Sequence, residues 1–248
     1  MTSLDGIKRT ELDVRESRDF ALGPGPLRPR DAATLILLDR SGGEIRVLMG
    51  KRASKHAFMP GKFVFPGGRT DPTDARVQSA STLHPDVERR IIGTTRQVSS
   101  ARARAIALSA IRETYEEAGL LIGTKGSFGT KRGSWVGFAE QEVQPDLAKL
   151  RFVARAITPP GRVRRYDTRF LAAWRDDVAV ELSEGPTLEL EELSWLSLAR
   201  AKSIDLPAIT HSILTDLEER LAGDPELSHE TPTPFYRMLH NRFKRELV

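Results

Sequence analysis

Cysteine is absent from all 248 residues. That removes disulfide scaffolds, thiolate zinc sites, iron–sulfur clusters and thiol nucleophiles together. Long apolar runs are missing too. The stretch at 33–38 is interrupted by Thr34, and nothing approaches the roughly 18 residues of a membrane span. The first residues carry Asp5, Lys8, Arg9 and Glu11 where a secretory signal would have an apolar core. The expectation is a cytoplasmic protein with no membrane partner. A dominant charge is also lacking: 38 Lys and Arg stand against 34 Asp and Glu, a net +4. Without a strongly basic balance or a helix-turn-helix pattern, the sequence speaks against a nucleic-acid partner.

What is present fits a globular protein, with 39% hydrophobic and 29% charged residues. Its length suits one domain with extensions. The basic excess is mostly arginine and sits at 75–104 and 155–169. Residues 1–30 read as an N-terminal extension, a linker or surface-hugging tail ending in Gly23-Pro24-Gly25-Pro26. Two apolar runs around Ser41-Gly42-Gly43 predict a β-hairpin. A short strand at 63–65 stops at Pro66-Gly67-Gly68. Residues 75–100, polar and arginine-rich, read as an insertion with a short helix at 85–92. It is expected to be a surface excursion, replaceable at small loop-closure cost. Alanines favour a helix over 100–118, ended by Gly119. Further strands are expected at 150–157, 168–174 and 193–196. Amphipathic helices at 207–222 and 232–246 would make 206–248 a C-terminal helical extension packed on a main domain at 31–205. Mixed strands around one central helix, with helices at the end, suggest an α+β fold or an α/β sandwich.

The chemistry concentrates in Arg112-Glu113-Thr114-Tyr115-Glu116-Glu117-Ala118-Gly119-Leu120. On a helix, Glu113, Glu116 and Glu117 share one face at i, i+3 and i+4. Leu108, Ile111, Tyr115 and Ala118 cluster about 170° away. Like charges so spaced repel, and they sit in the last turns, where the helix dipole disfavours anions. A hard divalent cation would reverse that penalty. A solvated acidic face is the alternative.

With Gly67-Gly68 following a strand ahead of this helix, the sequence resembles the Nudix hydrolases. Their signature reads G-x5-E-x7-R-E-U-x-E-E-x-G-U, with U a bulky apolar residue. Gly68 matches the first position, Asp74 the first acid in shorter form, and Arg112, Glu113, Glu116, Glu117, Gly119 and Leu120 the second half. The spacing departs: 37 residues, 75–111, stand where the signature has seven. The segments 158–160 and 165–171 resemble a subgroup with an interrupted box that includes CoA-diphosphatase-like members.

The resemblance implies an α/β/α sandwich with a mixed sheet, and metal-dependent hydrolysis of a nucleoside diphosphate linked to another moiety. It implies Mg²⁺ or Mn²⁺ held by Glu113, Glu116 and Glu117 with a carbonyl of Gly67 or Gly68, and an orienting role for Arg112. A downstream base would be Glu184 or Glu189, with Glu181 a weaker candidate. Arg165, Arg169 and Arg52 are the expected substrate contacts, and His56 a weaker one. Along a strand, Arg165, Asp167 and Arg169 would share one face and Tyr166, Thr168 and Phe170 the other; at least one arginine among Arg162, Arg164, Arg165 and Arg169 is expected over the ligand, with Arg165 or Arg169 favoured. A non-catalytic nucleotide-binding sensor stays open as an alternative, and an RNA-decapping enzyme as a third reading. A homodimer is compatible with the family.

Overall fold

The computed structural model describes residues 4–16, 23, 27–53, 61–93, 99–187 and 189–248. The chain enters through a short helix, α1 (Arg9–Arg15), and then forms the hairpin of β1 (Arg30–Asp39) and β2 (Arg46–Arg52). Leu38 lies opposite Val47 across it, with Gly43 at φ +80° in the turn. The strand before the glycines is broken into β3 (Phe63–Val64), paired with β2, and β4 (Gly67–Arg69), paired with β1. Next come α2 (Pro85–Ile92) and the central helix α3 (Ser100–Ala118). Ser99 caps α3 by accepting from the Arg102 N–H, and Gly119 ends it in the left-handed region at φ +71°.

The rest of the chain runs β5 (Leu120–Lys125), α4 (Val136–Glu140), β6 (Val143–Pro145), β7 (Arg151–Ile157), β8 (Tyr166–Trp174), β9 (Val178–Glu181), β10 (Leu190–Ser197), α5 (Leu198–Ser203), α6 (Ala208–Gly223), β11 (Pro234–Leu239) and β12 (Arg242–Leu247). The main sheet has the order β10-β2-β1-β8-β7-β11-β12, with β3 and β4 attached to β2 and β1. It is mixed, because β8 runs parallel to β1 and antiparallel to β7. β6, β5 and β9 make a second, small sheet.

Period-two alternation gives the sheet two apolar faces. Leu35, Leu37 and Leu171 pack with Ile106 and Ile111 of α3. Ile36, Leu38 and Ala172 pack with Leu12 of α1 and Ile213 and Leu217 of α6. The result is an α/β/α sandwich. Among the described residues no helix is long and apolar enough to cross a membrane.

Three sequence expectations need correction. The segment 232–246 is not a helix but the hairpin β11–β12, which extends the main sheet beside β7. Tyr236, Leu239, Phe243 and Leu247 imitate a helical period, yet His240 and Asn241, at φ +47° and +59°, form a two-residue turn. The N-terminal segment is not a surface tail, since Leu4, Ile7 and Leu12 are buried in the sheet-and-α6 core. Nor is the insertion a surface excursion. Val77, Leu83, Val87 and Ile91 are buried against α3, and Arg90 donates to the Thr231 and Glu230 carbonyls. Residues 94–98 lie outside the described residues.

Arg169, expected at the ligand, instead belongs to this framework. Its side chain is wholly buried. One Nη reaches the Asp31 carboxylate at 3.0 Å and the Asp167 carbonyl at 2.9 Å. Nε and the other Nη donate to the Ile91 carbonyl at the end of α2. Burial pulls its pKa down, against the pull of Asp167 and Asp31. Arg155 completes the cluster with a two-pronged bond to Asp167 at 2.8 and 2.7 Å.

Two outcomes follow for stability. Ile91→Ala should destabilise the protein by about 2–5 kcal/mol in chemical denaturation, as a core truncation does; a residue on a surface excursion would cost under about 0.5 kcal/mol. Arg169→Ala should cost about 1–3 kcal/mol, because it leaves the buried Ile91 carbonyl without its donors, while Asp31 and Asp167 keep Arg102 and Arg155 as partners.

Candidate active site

The carboxylate face of α3 is turned towards β4 rather than towards water. Gly67 pairs with Thr34 and Gly68 with Ala33, so β4 is pinned flat on β1. A Cβ on Gly68 would lie 2.5 Å from the Glu113 carboxyl carbon, so only glycine lets that carboxylate come so close. The Gly67 N–H donates to Glu117 at 2.9 Å. Glu117 is 3% exposed, and Glu113 and Glu116 keep only 15% and 19% of their side-chain surface. This excludes the solvated-face alternative.

Arg112 is buried at the centre. One Nη contacts Glu113 at 2.8 Å and Glu116 at 2.6 Å. Nε donates to Asp74 at 3.1 Å and the other Nη to the Arg69 carbonyl at 3.2 Å. The indole N–H of Trp135 holds the second oxygen of Asp74 at 3.0 Å. Asp74 therefore reaches Arg112 despite the insertion that follows it in the chain.

Electrostatics at the cluster are strained. Burial, with the neighbouring Glu116 charge, pushes the Glu113 carboxyl up to about 7 against the pull of Arg112. Burial pushes Glu117 up to about 8, aided by Glu113 and opposed by the Gly67 N–H. Burial pulls the Arg112 pKa down, but Glu113, Asp74 and Glu116 outweigh it and the net direction is up. Such shifts mark carboxylates short of positive charge.

The donor set fits a hard divalent cation by its chemistry: oxygen ligands only, with carboxylates outnumbering guanidinium groups in a poorly hydrated place. Among the described residues no three acidic or histidine side chains are drawn into a closed cage. Arg112 holds two of the glutamates and Gly67 the third.

Gly67, Gly68 and Glu113 open onto a cavity of about 450 Å³ on the α6 side of the sheet. Arg52 and Glu189 also line it, 3.6 Å apart, with the Arg52 Nε left without a hydrogen bond among the described residues. Glu184 does not line it; that residue is exposed, with its carbonyl over the end of α3 at Gly119. Glu181 is paired with Arg175 at 2.9 Å. His56 lies outside the described residues.

The β8 arginines fall on the opposite side from the expected one. Arg164, Tyr166, Thr168 and Phe170 line the cavity. Arg165 donates to the Thr158 and Leu27 carbonyls, and Arg169 is buried as described above. The alternation along the strand is as expected, but the ligand face is the even-numbered one. Arg164 and Arg69, both on the cavity, have no ion pair among the described residues. Arg164 belongs to the arginine group expected to supply a ligand contact, whereas the sequence did not point to Arg69, whose position one residue beyond Gly68 was the available signal.

No family model matches the chain. A curated Caenorhabditis elegans protein named as nudix hydrolase 7 is 28% identical over 180 residues, covering 67% of this chain. The chain spans about half the length of that relative, 51%. A NUDIX hydrolase of Alicyclobacillus acidocaldarius, known from its crystal structure, superposes with a TM-score of 0.57 at 26% identity, covering 82% of this chain and 96% of that one. A mixed-sheet sandwich, a glycine strand seated on a Glu-bearing helix end, and these likenesses make the chain similar to the Nudix hydrolases in both sequence and fold.

Proposed function

We propose that the protein hydrolyses the diphosphate linkage of a nucleoside diphosphate joined to another moiety. The observation that carries this reading is the pair Glu113 and Glu117 lodged against Gly68 and Gly67, with Glu113 on the cavity and Glu116 beside them on Arg112. Substrates in view are CoA-like, ADP-ribose-like or dinucleotide diphosphates. A non-catalytic sensor would have no need of three charged glutamates kept together at a cost in stability.

Glu113, Glu116 and Glu117, with a carbonyl of Gly67 or Gly68, would hold Mg²⁺ or Mn²⁺, which would neutralise the diphosphate and acidify the attacking water. Arg112 fixes the carboxylates in place and does not itself face the cavity. Arg52, free at Nε, supplies a donor for a phosphate oxygen, and Arg69 and Arg164 can do the same from the rim. Glu189, beside Arg52 on the cavity, is the better placed of the two candidate bases; a carboxylate there can take a proton from water as it attacks phosphorus. The new P–O bond forms as the P–O–P bridge breaks, and the bridging oxygen leaves on the second phosphate.

Glu117→Gln or Glu116→Gln removes one charge and keeps the shape. Each should lower turnover at least about a hundredfold at saturating metal, with an unchanged or slightly higher melting temperature. Near wild-type turnover in the purified variants would remove these glutamates from the site.

The metal-free protein should also respond to pH. Glu113 and Glu117 have folded-state pKa values raised to about 7 and 8, above an unfolded value near 4.5. The folded state therefore holds more protons than the unfolded one between those limits. This contribution is fully present below about pH 4.5 and is lost as pH rises through 7 to 8. In chelator, the melting temperature should fall between pH 5 and 8.5, and saturating Mg²⁺ should flatten that fall. A chelator curve that rises over this window would contradict the burial of these two charges.

A further inference from the structure

The cavity does not end at the glutamates. Its floor is a set of cross-strand rows. Arg69 on β4 pairs with Ala32 on β1, Ala32 with Thr168 on β8, and Thr168 with Ala156 on β7. Paired residues point to the same face. Three strand spacings of about 4.8 Å carry this row about 14 Å from the glycine strand to β7. After Arg69 the row is built of small side chains, which leaves a trough across the sheet.

The far wall comes from segments outside the box. Ile209 stands on the first turn of α6, Phe243 on β12 and Leu4 in the N-terminal segment, and all three line the cavity. Ile157 and Phe170 add further apolar surface. Charge is confined to the near end and the rim, at Glu113, Arg52, Arg69, Glu189 and Arg164, with one exception. That exception, Glu16, is already engaged, because its carboxylate accepts from the buried Arg162 at 2.9 Å. The α6 helix, the C-terminal hairpin and the N-terminal segment thus bring Ile209, Phe243 and Leu4 to the cavity as apolar wall, beside the uncharged polar side chains of Thr158, Tyr166 and Thr210.

We propose that this trough is the subsite for the group linked to the nucleoside through the diphosphate, and that the group is uncharged and apolar where it meets Ile209, Phe243 and Ala156. The inference rests on the diphosphate reading and deepens it. With the phosphates at the Glu113 lip, a substituent directed across β1 and β8 reaches the apolar wall within the length of the row. Burying it there removes apolar surface from water, at about a fourfold gain in affinity per methylene. A charged substituent would lose its hydration against Ile209, Phe243 and Ala156, none of which can pair with it.

The test uses the full-length protein with Mg²⁺ and three non-hydrolysable adenosine methylenediphosphonate esters, carrying methyl, butyl and octyl groups. Affinity is read by titration calorimetry, so turnover is not needed. Wild-type protein should bind the butyl ester at least about tenfold more tightly than the methyl ester. Ala156→Leu, which fills the floor, and Ile209→Ala, which thins the wall, should each reduce that ratio below about threefold. Cooperative melting confirms that each variant is folded, and either variant alone suffices. Equal wild-type affinity for all three esters, or an unchanged ratio in the folded variants, overturns the subsite and leaves the diphosphate reading standing. Failure of all three esters to bind overturns both.

Discussion

Arg112 lies under the glycine strand with Asp74, Glu113 and Glu116 on its guanidinium group and the Arg69 carbonyl behind it. Little else in the site is independent of this contact. It ties the last turns of α3 to β4 and to the entrance of the insertion, and it spaces two glutamates that would otherwise repel. A buried guanidinium with planar, directional donors does this better than an ammonium could. Charge is still out of balance, since Glu117 is left with only a backbone N–H and the distant Arg52 for compensation. The fold therefore holds the Glu113 and Glu117 carboxylates in a place that favours their neutral form. That arrangement makes physical sense as a cation site and has no evident merit as a stabilising device.

The interruption of the box is tolerated for a related reason. Asp74 is fixed from two sides, by Arg112 and by Trp135, before the chain departs. When the chain returns, Ser99 caps α3 and restarts the helix. Between those anchors the insertion closes over α3, burying Val87 and Ile91, and its helix end is held by Arg169. The excursion has become part of the layer that keeps α3 pressed on the sheet.

Several features were legible in the sequence because local chemistry decides them. The alanines of α3, the stop at Gly119, the Ser41-Gly42-Gly43 hairpin and the spacing of the three glutamates each depend on a few neighbouring residues. The rest depended on partners far along the chain. Val87 and Ile91 are isolated apolar residues in a polar stretch, and only the packing of α3 shows that they are core. Residues 236, 239, 243 and 247 carry a helical period that the two-residue turn at His240-Asn241 overrules. On β8 the alternation was readable, but which face met the ligand was not. Both faces are covered by helices, and the half-buried acids Asp31 and Asp167 that claim Arg169 are brought together by the pairing of β8 with β1.

The most direct measurement is hydrolysis in ¹⁸O-labelled water. CoA, ADP-ribose and a dinucleotide are incubated with the protein and Mg²⁺ or Mn²⁺, and both products are weighed by mass spectrometry. The proposed function predicts metal-dependent cleavage of at least one of them into two phosphorylated products, with one ¹⁸O in one product and none in the other. Intact substrates with either metal, or cleavage that leaves the diphosphate whole, would contradict it.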